Sequence, residues 1–173
     1  QKQGNLEDYT ELLRAGLEKI SLPFKMLWLR SSDIRTDEYS SLDGAPEREI
    51  NPMLGLHGIR FSLKHPEIFK AELEAVKQVA EKYPDKKFGI MFPQVISIKE
   101  IKETKQIWDK FKVDNMQFGV MIETPASVQI IDEICEEGVD FVSFGTNDLT
   151  QYTLAVDRGE DEVQYLYDEL DPA

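Results

Sequence analysis

Residues 118–148 read FGVMIETPASVQIIDEICEEGVDFVSFGTND. Two short apolar runs, FGVMI at 118–122 and FVSF at 141–144, bracket a segment with helical rhythm. Thr124-Pro125 opens that segment as a cap followed by proline in the first helical position. The helix is expected to run to about Glu137, where Gly138 stops it. A buried strand, a helix and a second buried strand form the crossover unit that parallel strands require.

The unit repeats toward the N-terminus. FGIMF at 88–92 is the preceding strand, joined to the next by a helix that the capping box Ser97-x-x-Glu100 opens and that is expected to reach Phe111. KMLWLR at 25–30 supplies the first strand. Pro66 to Lys82 is an amphipathic helix with Phe69, Leu73, Val76 and Ala80 on one face. Leu6, Tyr9, Leu13 and Leu17 give a leading helix. Val163, Leu166, Tyr167 and Leu170 give a closing one. Residues 31–50 read as a polar loop with a turn at Asp43-Gly44, and Asn51-Pro52 starts a short helix with Asn51 as cap. Strands that are apolar throughout, with helices between them, predict a parallel α/β sheet covered on both faces. A doubly wound sheet and part of a barrel both satisfy this pattern.

The chain has 173 residues, enough for one domain, with 41% apolar and 31% charged residues. Its net charge of −13 argues against a nucleic-acid surface. It also means that an anionic ligand has to be held by local cations or by a metal. The lone cysteine, Cys135, excludes a disulfide framework and is expected on the core side of its helix. A reducing, cytoplasmic setting is expected, with no membrane segment. Both ends of the chain read like cuts within a longer one.

Polar residues gather after the strand ends: Arg30, then Pro93-Gln94, then Glu123, then Gly145-Thr146-Asn147-Asp148. Each alone reads as a loop polar group or a helix cap. Together they mark the sheet edge on which α/β proteins build sites. Glu123 and Asp148 are paired oxygen donors of the kind that suits Mg²⁺ or Mn²⁺. Arg30 offers a planar fork for phosphate or carboxylate. Gly145 and the backbone N–H groups near Asn147 can cradle an anion.

FGTNDLTQYTLAVDR at 144–158 closely resembles the signature of the phosphoenolpyruvate-utilising enzymes, which comprise phosphoenolpyruvate synthase, pyruvate phosphate dikinase and enzyme I of the sugar phosphotransferase system. LRSSDIRTDEY at 29–39 resembles the family's Arg-Thr-x-Asp loop, and NPMLGLHGIR at 51–60 its Asn-Pro-x-Leu-Gly-x-Arg segment. IMFPQVIS at 90–97 and VMIETPAS at 120–127 add ordered matches. TDEY after the first arginine is more similar to the synthase branch than to enzyme I.

The resemblance implies a (β/α)8 TIM-barrel-type phosphoenolpyruvate/pyruvate-binding domain, present over residues 1–173 as a partial barrel of about four parallel strands. It implies catalytic roles for Arg30 and Arg158. It implies substrate contacts from Arg30, His57, Asn147, Asp148 and Arg158, and Mg²⁺ (or Mn²⁺) on Glu123 and Asp148. His57 stands where the family usually has a second phosphate-binding arginine. The implied reaction is phosphoryl transfer from a phosphohistidine to Mg-bound pyruvate enolate, and the implied setting is gluconeogenesis. The phosphohistidine and ATP-binding domains of the same parent chain would be partners, and a homo-oligomer is expected from unpaired strand edges. The rival readings are the dikinase or enzyme I branch, a Mg²⁺-dependent lyase or aldolase on a related barrel, and a truncated non-catalytic binding or oligomerisation module.

Overall fold

The computed structural model describes residues 5–173. Helix α1 (Leu6–Ser21), capped by the Asn5 side chain, leads into strand β1 (Met26–Arg30). A short helix α2 (Thr36–Tyr39), a 3-10 turn at Pro52–Leu54 and α3 (Gly58–Lys64) precede the long α4 (Pro66–Lys82). Strand β2 (Lys87–Phe92), α5 (Ile98–Trp108) and β3 (Met116–Ile122) follow. Helices α6 (Pro125–Gln129) and α7 (Ile131–Glu136) lead to β4 (Phe141–Phe144) and α8 (Thr146–Leu154). No helix among the described residues is long and apolar enough to cross a membrane.

All four strands are parallel, and their order in the sheet is their order in the chain. A doubly wound sheet reverses its direction of strand addition at a switch point. Addition always on the same side is barrel winding, so the architecture is a partial (β/α) barrel.

Side chains alternate between the two faces of a strand. Phe88, Ile90 and Phe92 of β2 and Met116, Phe118, Val120 and Ile122 of β3 are buried in the core that α4 and α5 cover. Phe69, Phe92, Trp108 and Phe118 meet there edge-on or tilted, with Phe92 and Phe118 centroids 4.8 Å apart. Burial of each such ring contributes about 2 kcal/mol. On the other face, Trp28 and Phe141 meet edge to face with centroids 4.1 Å apart. They do so across Gly89 and Gly119, where any side chain would collide with the two rings. Arg30, Glu123 and Gly145 share the parity of this inner face, which sets the site on one side of the sheet at its C-terminal edge.

The N-terminal edge is a structural clamp. Lys86 Nζ donates to the carbonyls of Ser21 (2.9 Å) and Phe24 (2.7 Å), placing a cation at the end of α1. Asn115 Nδ2 reaches the carbonyls of Ala80, Tyr83 and Lys86 at 2.9–3.2 Å.

Several expectations need correction. The helix over 124–137 is broken at Ile130, whose φ of −113° and ψ of 25° leave the helical region. Cys135 is exposed rather than in the core, and the buried residue of that turn is Ile134. The closing helix is only a 3-10 turn at Gln164–Leu166, because its apolar side chains have nothing to pack on and Leu170 is 90% exposed. The helix after the fourth strand is instead α8. Asn51 makes no side-chain cap, and α2 and α3 interrupt what the polar composition predicts as loop. The outer strands are not covered on both faces, as Trp28 and Phe144 are exposed.

Candidate active site

The strand-end residues converge on a cleft of about 280 Å³. Its lining includes Arg30, His57, Glu123, Asn147, Asp148 and Arg158, together with Asp33, Arg35, Glu38, Met53 and Gly145. The structure thus brings together the six residues to which family resemblance assigns catalytic, substrate or metal roles, while Pro93 and Gln94 of the same edge do not line the cleft.

Glu123 follows β3 and is 1% exposed. Its Oε1 accepts the backbone N–H of Gln94 at 2.6 Å. Gly145 packs so closely on this carboxylate that a Cβ there would overlap Oε2. Burial pushes the Glu123 carboxyl up to about 7; the Gln94 N–H opposes the rise, and the charges of Asp148 and Asp33 add to it. Asp148, in the first turn of α8, is also held above the usual carboxylate range by burial, against the pull of Arg158.

Gln94 joins the two carboxylates. Its side-chain Nε2 donates to Asp148 Oδ2 at 3.1 Å, and its Oε1 accepts from the Tyr152 hydroxyl at 2.8 Å. It has φ of 61°, a left-handed conformation that a non-glycine residue adopts at a cost, and it is 1% exposed. Tyr152 also approaches the Met53 carbonyl at 2.7 Å. Burial and the charge of Asp148 push its phenol up to about 12, so it remains a donor.

A second chain of contacts starts at Arg30. Its Nη1 lies 3.3 Å from Asp33 Oδ2. Asp33 Oδ1 accepts from His57 Nδ1 at 2.8 Å, and His57 Nε2 donates to the Met53 carbonyl at 2.9 Å. Burial lowers the affinity of His57 for its proton, but the Asp33 and Met53 acceptors outweigh that and the net shift is upward. Both ring nitrogens thus face acceptors inside the protein rather than the cleft. The two chains meet at the Met53 carbonyl, so a continuous network runs from Arg30 to Arg158, which lies 3.5 Å from Asp148 Oδ1. With its amide oriented to satisfy both ends, Asn147 accepts from Arg158 Nη1 at 3.1 Å and donates to Glu169 Oε1 at 2.8 Å.

Glu123 and Asp148 are the oxygen pair available to a hard cation. No group of three or more His, Cys, Asp or Glu among the described residues is arranged around a metal position. A two-carboxylate set fits Mg²⁺, which usually keeps waters and substrate oxygens in its shell. The electrostatics also fit: a cation would relieve what burial and the charge of Asp148 impose on Glu123.

Sequence reading gives no role to Asp33, Arg35, Gln94 or Tyr152. Asp33, three residues after Arg30 in the motif loop, and Gln94, after a proline at a strand end, carry some signal. Tyr152 carries none, since its partners are 58 and 99 residues away.

The family model described as the phosphoenolpyruvate-binding domain of phosphoenolpyruvate-utilising enzymes matches residues 6–173. A probable phosphoenolpyruvate synthase of Archaeoglobus fulgidus and the phosphoenolpyruvate synthase of Pyrococcus furiosus are each 44% identical over 99% of this chain. A phosphoenolpyruvate-protein phosphotransferase of Haemophilus influenzae is 40% identical over 84% of it. These matches take in 24%, 22% and 26% of the relatives' own lengths, so the chain spans about a quarter of each.

Proposed function

This chain belongs to the phosphoenolpyruvate-binding domain family of phosphoenolpyruvate-utilising enzymes, and on that premise we propose that its cleft binds phosphoenolpyruvate and pyruvate and carries phosphoryl transfer between pyruvate and a phosphohistidine, as in the synthase branch. The observation that supports this most is the segregation of charge. Arginines Arg30 and Arg158 stand at the two ends of one network, with the buried Glu123 and the half-buried Asp148 carboxylates between them.

Arg30 and Arg158 would hold the transferring phosphoryl group and offset its charge. Their present partners, Asp33 and Asp148, sit at 3.3 and 3.5 Å, loose enough for both guanidiniums to turn toward a phosphate. Asn147 orients Arg158, and the backbone at the start of α8 would orient a substrate carboxylate. Gln94 fixes Glu123 through its N–H and Asp148 through its amide, so that neither carboxylate moves when substrate enters. Mg²⁺ (or Mn²⁺) held by Glu123 and Asp148 would supply Lewis-acid polarisation of the keto and carboxylate oxygens of pyruvate. The phosphohistidine and ATP-binding domains that deliver the phosphoryl group, and a cytoplasmic, gluconeogenic setting, belong to the same proposal.

Calorimetric titration of phosphoenolpyruvate with and without Mg²⁺ tests it. Binding should require Mg²⁺, and Asp148→Asn should remove that requirement together with most of the affinity. Phosphoenolpyruvate binding that is indifferent both to Mg²⁺ and to Asp148→Asn would refute the reading.

A further inference from the structure

Arg35 and His57 lie on either side of Met53. His57 Nε2 donates to the Met53 carbonyl at 2.9 Å, and Arg35 Nη1 lies 3.3 Å from the Met53 Sδ. They differ in what they have left to offer. His57 is 2% exposed and both of its nitrogens are engaged, so it presents no donor to the cleft. Arg35 lines the cleft, and its partners are poor. A thioether is a weak acceptor. Asp37 lies 3.4 Å from Nε, and Glu38 lies 3.8 Å from Nη2. Arg35 Nε and Asp37 Oδ1 are both buried, and neither makes a hydrogen bond. A buried polar atom without a partner is costly and calls for an explanation, of which a ligand is one.

The loop that carries Arg35 is fixed. Arg35 N donates to Glu38 Oε2 at 2.7 Å, and Glu38 N donates to the Arg35 carbonyl at 3.0 Å. The guanidinium is therefore presented from a pinned backbone, with its side chain only 28% exposed. Arg35 Nε meets Asp37 at 3.4 Å, a contact as loose as those of Arg30 with Asp33 and Arg158 with Asp148. Like those two arginines, Arg35 makes no hydrogen bond of good geometry to a carboxylate, so its planar fork can turn to an anion.

We propose that Arg35 is a phosphate-binding residue of this cleft, supplying the cationic donors that His57 has turned inward onto Asp33 and Met53. The inference rests on the reading of the cleft as a phosphoenolpyruvate/pyruvate site. Recognition of phosphate then falls to Arg30, Arg35 and Arg158.

The test is calorimetric titration of phosphoenolpyruvate and, separately, of pyruvate, each with Mg²⁺, into the wild-type protein, Arg35→Gln, Arg35→Lys and Arg30→Gln. Arg35→Gln should weaken phosphoenolpyruvate binding by about tenfold to a hundredfold, the range for losing hydrogen bonds from a charged group. Pyruvate has no phosphate, so its affinity should not change, and that unchanged value also reports an intact cleft. Arg35→Lys keeps the charge but loses the fork, so its loss should fall between the two; it carries the comparison if Arg35→Gln does not fold. Wild-type phosphoenolpyruvate affinity in Arg35→Gln, or equal losses for the two ligands, overturns the inference. Weakening in Arg30→Gln but not in Arg35→Gln removes Arg35 and leaves the proposed function standing. A wild-type protein that binds neither ligand overturns both.

Discussion

Replacement of Glu123 by glutamine should stabilise the protein, and do so only at neutral and alkaline pH. Glu123 is buried, with its carboxyl raised from an ordinary 4.5 to about 7. The folded state therefore binds this proton more tightly than the unfolded chain does. The associated stability is fully present below about pH 4.5 and is lost as pH rises through about 7. The shift corresponds to roughly 3 kcal/mol above pH 8, at about 1.4 kcal/mol per pKa unit. The amide introduced by Glu123→Gln would mimic the protonated acid at every pH, and its carbonyl oxygen keeps the bond from Gln94 N–H. The variant should thus match the wild type near pH 4.5 and exceed it by roughly 3 kcal/mol at pH 8.5. For a chain of this length that is about 8 °C in melting temperature. Glu72 and His57 are also raised, and each loses its own contribution in the same direction, but they titrate in both proteins and cancel in the difference. Asp148 is coupled to Glu123, so its contribution is part of the difference that the substitution reads. The assay is thermal unfolding by circular dichroism from pH 4.5 to 8.5, with a chelator present. A difference between the two proteins that does not vary with pH would refute the reasoning.

Two further outcomes follow from the geometry. Asn115→Ala removes the donor shared by three carbonyls at the N-terminal edge, and should cost about 2 kcal/mol in denaturant unfolding while leaving phosphoenolpyruvate affinity unchanged. His57→Arg, which would restore the arginine that family resemblance leads one to expect, should lower stability by about 2–4 kcal/mol without tightening phosphoenolpyruvate binding, because position 57 is buried beside Asp33 and flanked by Gly58 in a left-handed conformation (φ 59°) against Pro93; melting and calorimetry on the one variant check both halves.

The strands are legible because all four contain short apolar runs, buried in β2 and β3, with cap and proline signals between them. Ser97 and Glu100 form the capping box that their spacing announces, and Gly138 takes the positive φ (83°) that ends its helix. Barrel winding is legible in the ordered motifs that resemble a known family, but not in the periodicity. It resides in the order of strands, and periodicity does not record order. Cys135 lies a heptad after Val128, which would set it on the core side of one continuous helix. The helix breaks at Ile130, so that spacing is not a helical register, and Val128 is itself 40% exposed. The site edge is legible from residue types at strand ends. Gln94 is legible as a strand-end residue, but its part as a hub is not, because a left-handed turn made by a non-glycine residue leaves no mark in a sequence. The inward turn of His57 is equally hidden, since it depends on Asp33 and Met53 offering two acceptors at once.

The two edges of the sheet are built to opposite standards. At the N-terminal edge, Lys86 and Asn115 satisfy the carbonyls that end α1 and α4, and nothing there faces the cleft. At the C-terminal edge, Gln94 holds a left-handed backbone, Glu123 keeps a carboxylate where burial favours its neutral form, and Arg35 Nε lies buried without a partner. Each of these is a local cost that a chain selected for stability alone would remove, and the last two concern groups that a cation or an anion would satisfy. A protein carrying a net charge of −13 has no long-range attraction to offer an anionic ligand. It has to offer local groups whose own partners are inadequate. The unfavourable features of the C-terminal edge are therefore the physical form that affinity takes here, and the aromatic core between α4, α5 and the sheet is what lets the fold carry them.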